Sequence, residues 1–224
     1  MEKQTPQKHQ VHTPEWIYQF WAWQLLAWSL YRYFLHVPEW ADECIAKPLV
    51  FVLPVLWWII RKEHATAHSV GITKKNVGAS LLLGIGIGAV FLAMGLVASM
   101  AKYGLIVVHP IQAVSTYGIL GLVVLSLITA CTEELLNRGF LFSRLFAVTK
   151  NLWYSSLMSS VLFVLFHVPV LVTSLKFEGG VLLAFFFSTF LLGVVNSLSY
   201  AATSSLVAPI LIHFFWNVTV ALFL

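Results

Sequence analysis

Charge is scarce in this chain. Only 10% of its 224 residues are Asp, Glu, Lys or Arg, 13 basic against 9 acidic. Water-soluble domains carry about 25%, so the chain is not composed for water. The net charge of +4 is modest and shows no clustered basic face, which excludes a nucleic-acid binder. Cysteine is nearly absent. Cys44 and Cys131 could form one bridge at most and lack metal-type spacing, so both read as packing residues. There is no GxSxG and no HExxH, so neither a serine-hydrolase elbow nor the common zinc-protease helix is present. The stretch "GIGIG" (Gly84, Gly86, Gly88), with Gly95 beyond it, has no preceding strand to make it a phosphate loop. It reads instead as close helix packing through small residues. Internal repeats and low-complexity segments are missing, as is a cleavable signal peptide of the usual form.

What the chain has is apolar length. It is 59% hydrophobic, with mean hydropathy +0.86. Runs near 20 apolar residues mean transmembrane helices. The expected fold is all-α, a polytopic transmembrane bundle of about seven spans, roughly 16–36, 45–60, 77–100, 116–146, 152–172, 180–199 and 205–224. Residues 1–14 read as a cytoplasmic tail and 15–224 as a single membrane domain. The first span is rich in Trp and Tyr, as in interfacial belts, and its Arg32 is near enough to the end to snorkel. The second is short and carries Pro54, a site for a tilt or kink. With the N-terminus inside, Lys3, Lys8, Arg61, Lys62, Lys74, Lys75, Arg144 and Lys150 fall on the cytoplasmic side. Lys47, Lys102 and Lys176 fall outside, with Glu39, Asp42 and Glu43 in the same outer loop as Lys47.

Against this background a few polar residues stand out. Glu133 and Glu134 lie deep in the fourth apolar segment, where a carboxylate costs about 2.5–3.5 kcal/mol even on insertion scales. Such a pair needs partners. Glu134 and Arg138 are i and i+4 on one helix face, in the favourable order for an ion pair. Glu133 lies about 100° away on another face, with Asn137 four residues on. His167 ends "VLFVLFH" in the fifth segment. His213 and Asn217 share a face of the last. A turn near residues 149–152 makes the fourth and fifth segments antiparallel and brings Glu133 level with His167. Glu133, His167, His213 and Asn217 can therefore converge below the cytoplasmic surface.

Carboxylate, imidazole and amide suit amide hydrolysis by activated water. A carboxylate takes a proton from water, a histidine orients it, and a second histidine with an amide stabilises an oxyanion. A catalytic thiol is disfavoured, because Cys131 lies on a different helix face from Glu133. Three alternatives stay open. One is a zinc protease with Glu133, His167 and His213 as ligands. Another is a non-enzymatic scaffold or immunity protein. The third is a proton-relaying transporter.

"EELLNRG", "FVLFH" and "HFFWN" stand in the order of the EExxxR, FxxxH and HxxxN motifs of the CPBP family. The chain over roughly 115–224 thus resembles the CAAX-protease and bacteriocin-processing (Abi) family of glutamate-dependent intramembrane proteases. The resemblance implies that Glu133 and His167 activate water and that His213 and Asn217 form the oxyanion site. It also implies that Glu134 and Arg138 brace the helix and that Phe163 packs beside the site. Asn137 departs from bacterial members, which often have an aromatic or apolar residue before the arginine; it could hydrogen-bond Glu133. No metal or other cofactor is implied. The partners implied are the lipid bilayer and a membrane-embedded or lipid-anchored peptide or protein, with no nucleic acid. The short chain and compact loops look more like members from a prokaryotic cell membrane.

Overall fold

A computed structural model describes residues 14–108 and 112–223. Every regular element among them is helical. We label the helical segments α1 (Glu15–Phe34), α2 (Glu39–Arg61), α3 (Val77–Tyr103), α4 (Ser115–Thr149), α5 (Leu152–Leu175), α6 (Gly179–Thr203) and α7 (Val207–Phe223). The all-α bundle expected from composition is what forms. Five segments, α2 to α6, are long and apolar enough to cross a membrane. The expected count of seven is not reached on that measure. Only 17 residues make up α7, and α1 owes its bulk to Trp and Tyr instead of aliphatic side chains. The expected tail at 1–14 lies outside the described residues except for Pro14.

The packing is that of a membrane bundle. Leu82, Leu120, Val172, Leu183 and Phe187 are each at least 70% exposed on the outside, surface that only lipid would cover. Small and polar residues are buried inside. Between α5 and α6, Ser159 and Ser197 share a hydrogen bond at 3.2 Å, and Gly193 lies against Ser160. Apolar burial gains little in lipid, so close backbone approach and interhelical hydrogen bonds take its place. The glycine stripe of α3 works in the same way. Gly84, Gly88 and Gly95 face α7, where Leu211, Phe215 and Thr219 fill the space their missing side chains leave. Gly86 faces no neighbour.

Two local features shape the site. At residues 150–151, Lys150 takes a left-handed conformation (φ 56°) and Asn151 caps α5 by accepting from the Tyr154 amide at 3.0 Å. That reverses the chain and sets α4 antiparallel to α5, as the sequence predicts. Second, α2 and α4 are not uniform α-helices. Widened π turns occupy Asp42–Ala46 and Pro48–Val52 in α2, and Leu135–Phe142 in α4. Pro54, which cannot donate an amide hydrogen bond, stands two residues beyond the second of these. The sequence-based expectation of a distortion there holds.

The outer-loop assignment of residues 39–47 needs correction. Glu39–Arg61 is one helical segment, and Lys47 lies inside it, 8% exposed. The polar run reads as loop because it holds three acids in five residues, but two of those acids, Asp42 and Glu43, have partners. Asp42 pairs with Arg32, whose Nη2 also donates to Ser174 Oγ at 2.5 Å. Glu43 pairs with Lys47 at 2.7 Å. Cys44 and Cys131 are likewise not packing residues; both are exposed and free. Arg144 does not project freely, as it binds Glu63, Ser69 and the Gly139 carbonyl.

The α3–α7 contact makes a testable contrast. A Cβ at Gly88 would lie 2.3 Å from the Phe215 ring, whereas one at Gly86 meets nothing within 4 Å. Gly88→Ala is expected to destabilise by about 1–3 kcal/mol through overpacking. Gly86→Ala is expected to be neutral or stabilising, by up to about 1 kcal/mol of helix propensity. Thermal unfolding of both variants in one detergent checks this.

Candidate active site

Glu133 and Glu134 end the regular α-helical part of α4, immediately before the π turns of Leu135–Phe142. A π turn bonds each amide to the fifth residue back instead of the fourth. Here the Asn137 amide side chain donates to the backbone carbonyl of Glu133 at 2.8 Å. The expected contact between Asn137 and Glu133 exists, but with the main chain and not the carboxylate. π turns are frequent at functional sites, and here they begin directly after the two carboxylates.

Glu134 is fully buried, and its Oε1 collects three donors. Arg138 Nη1 donates at 3.0 Å, Asn196 Nδ2 at 2.9 Å, and His213 Nδ1 lies at 2.7 Å. The Arg138 guanidinium also lies over the Phe163 ring, 4.6 Å from its centroid. One carboxylate oxygen thus joins α4, α6 and α7. The i,i+4 pair of Glu134 and Arg138 read from the sequence is present. Its wider consequence is that Glu134 holds the imidazole of His213.

Glu133 faces a second cluster. Its Oε1 accepts from Lys47 Nζ at 2.8 Å, across from α2. Its Oε2 is buried without a hydrogen-bond partner and lies 3.8 Å from His213 Nε2. Beside it a cavity of about 60 Å³ is lined by Glu133, Asn137 and His167 together with Trp28, Lys47 and Phe163. His167 Nδ1 lies 2.9 Å from the Phe163 carbonyl. A carbonyl can only accept, so Nδ1 carries the hydrogen and Nε2 is the nitrogen left for the cavity. Phe163 packs edge-on against both histidines, with ring centroids 4.8 Å from His167 and 5.8 Å from His213.

The structure therefore brings Glu133, His167, His213 and Phe163 together, with Glu134 and Arg138 directly behind. Asn217 stands one turn from His213, but its amide donates to the Ser126 carbonyl at 3.4 Å, two turns before Glu133 on α4. No group of three His, Cys, Asp or Glu side chains among the described residues is placed to hold a metal ion. Two site residues escaped sequence reasoning. Asn196 could have been found, because an asparagine in an apolar span is the same signal that singles out Asn217. Lys47 carried a signal too, the i,i+4 spacing from Glu43, but the span had been started beyond the acids.

Fold and site together define a class: a helical integral membrane protein that holds a carboxylate and imidazole cluster inside its bundle. A comparison with known families adds a likeness. Residues 115–219 match the family model described as type II CAAX prenyl endopeptidase Rce1-like, in agreement with the CPBP family indicated by the three motifs. The matched segment, just under half of the chain, contains every site residue read from the sequence. No curated protein and no solved structure matches the chain.

The Glu134 hub yields a stability prediction. Arg138→Ala leaves a buried carboxylate without its charged partner, at an expected cost of about 3–5 kcal/mol. Asn196→Ala removes a neutral donor from the same oxygen and is expected to cost only about 1–3 kcal/mol. Thermal unfolding and detergent-solubilised yield of the two variants check the ranking.

Proposed function

We propose that this chain is an intramembrane endopeptidase that hydrolyses a peptide bond of a membrane-embedded or lipid-anchored peptide or protein. Glu133 is the general base. Its Oε2 takes a proton from a water as that water attacks the scissile carbonyl, and the proton passes on to the leaving amine. His167, through Nε2, orients the same water. Asn217 carries an amide donor in every protonation state and is assigned to the oxyanion. Its 3.4 Å bond to Ser126 is long enough to exchange easily. His213 has Nδ1 committed to Glu134, so it offers Nε2 as a donor only as the imidazolium and as an acceptor otherwise.

The observation that carries this reading is the asymmetry of Glu133. One carboxylate oxygen is bound by a cation, and the other is buried without a partner beside two imidazoles and a cavity. Glu134 also leaves one oxygen, Oε2, without a hydrogen-bond partner, but it does not line the cavity that Glu133 shares with His167. The family match supports peptide bonds as the substrate class.

Purified protein incubated with a library of lipidated and unlipidated peptides tests the reaction. Glu133→Gln keeps the shape but cannot accept the proton. Its rate is expected to fall by ~10²–10⁴-fold with thermal stability retained. A folded variant that keeps more than about a tenth of the wild-type rate would remove Glu133 from the role of base.

Asn217→Ala is expected to lower kcat by ~10²–10³-fold with little change in KM, because such donors act on charge that develops only in the transition state. A raised KM at unchanged kcat would make Asn217 a substrate-binding residue instead.

A further inference from the structure

We propose that Lys47 positions the candidate base: a two-rung ladder from α2 fixes Oε1 of Glu133 and leaves Oε2 free beside His213. The proposal rests on the reading of Glu133 as general base. Lys47 lies outside the segment that matches the family, residues 115–219. Its role has to be read from its contacts alone.

The ladder is built from matching spacings. Glu43 and Lys47 are i and i+4 on α2; Thr129 and Glu133 are i and i+4 on α4. Thr129 Oγ1 donates to Glu43 Oε2 at 2.5 Å. One turn on, Lys47 Nζ donates to Glu133 Oε1 at 2.8 Å. Nζ also lies 2.7 Å from Glu43 Oε1, so the two rungs share a charge. Lys47 stands between the π turns Asp42–Ala46 and Pro48–Val52. At 8% exposure, its ammonium has two carboxylates in place of water.

A carboxylate on a flexible side chain turns freely about its last torsion, whose profile is broad and two-fold. Either oxygen could then face the reaction. A charge-assisted hydrogen bond to Oε1 removes that freedom and holds the group for proton transfer. The ladder also docks α2 on α4, and a docking role alone would affect only how much enzyme folds. A positioning role affects the rate of each folded molecule. Misplacement by about 1 Å can cost ~10²-fold.

The test uses the full chain in detergent and the peptide that wild type cleaves fastest in the library above. For Lys47→Met, kcat per folded enzyme is expected to fall by ~10²-fold at unchanged KM. Lys47→Arg keeps a cation and is expected to recover part of the loss. Wild-type kcat in Lys47→Met overturns the proposal. So does a raised KM at unchanged kcat, which would make Lys47 a substrate-binding residue. If Lys47→Met does not fold, Glu43→Gln carries the test, because it loosens the ladder yet leaves the Lys47–Glu133 pair in place. A lower kcat at unchanged KM is expected there too, and wild-type kcat overturns the proposal. Unfolding measurements test the pair without any activity. The melting temperature of Lys47→Met/Glu133→Gln should exceed that of Lys47→Met, since the double variant no longer buries the unpaired Glu133 charge; no recovery overturns the pairing. Glu133→Gln in parallel separates the two ideas. Full activity in that variant rejects the general-base reading itself. An inactive Glu133→Gln beside a fully active Lys47→Met rejects only the positioning role.

Discussion

The burial of two adjacent carboxylates is the constraint on which the rest of this structure depends. Neither Glu133 nor Glu134 can be stable inside an apolar bundle unless charged or hydrogen-bonding partners reach it. Neighbours in sequence sit about 100° apart on a helix, so the two draw largely separate partners, with the ring of His213 between them. The bundle answers with two sets. Arg138, Asn196 and His213 gather on Glu134 from α4, α6 and α7. Lys47 reaches Glu133 from α2. Helix placement in the interior follows from these contacts as much as from van der Waals packing.

The two sets differ in their surroundings, and that difference separates support from chemistry. Glu134 binds three donors through one oxygen and is fully enclosed. It fixes the ring of His213 through Nδ1, as a supporting carboxylate commonly fixes a working imidazole. Glu133 lines the cavity, binds one cation through Oε1, and has its other oxygen 3.8 Å from His213 Nε2. The π turns that begin at Leu135 lie just where these two orientations diverge. Helical irregularity, buried charge and cavity thus coincide on α4.

The glycine stripe of α3 and the serines between α5 and α6 belong to the same economy. In lipid there is little hydrophobic drive to bring helices together. Small side chains let Gly88 meet Phe215 and let Ser159 meet Ser197. Close approach of α5 and α6 in turn sets Asn196 within reach of Glu134. The exposed aliphatic surface of α3, α4 and α6 takes no part in the site.

Much of this was legible in the sequence. Apolar length determined an all-α membrane bundle, because continuous apolar runs near 20 residues satisfy their own backbone in lipid as helices, whereas barrel strands are shorter and alternate. The i,i+4 spacing determined the Glu134–Arg138 pair, since that relation is local to one helix. The turn at 149–152 and the counts on either side of it put Glu133 and His167 at one level. Relations between distant helices were not legible. The sequence cannot say which face of α2 meets α4, so Lys47 was placed in a loop when it pairs with Glu133 across 86 residues. Nor can it say that His213 turns Nδ1 to Glu134, or that Asn217 reaches Ser126, because ring orientation and amide direction are set by neighbours from other helices. Composition and period decided what kind of molecule this is. Tertiary packing alone decided which oxygen of Glu133 is held and which is left without a partner.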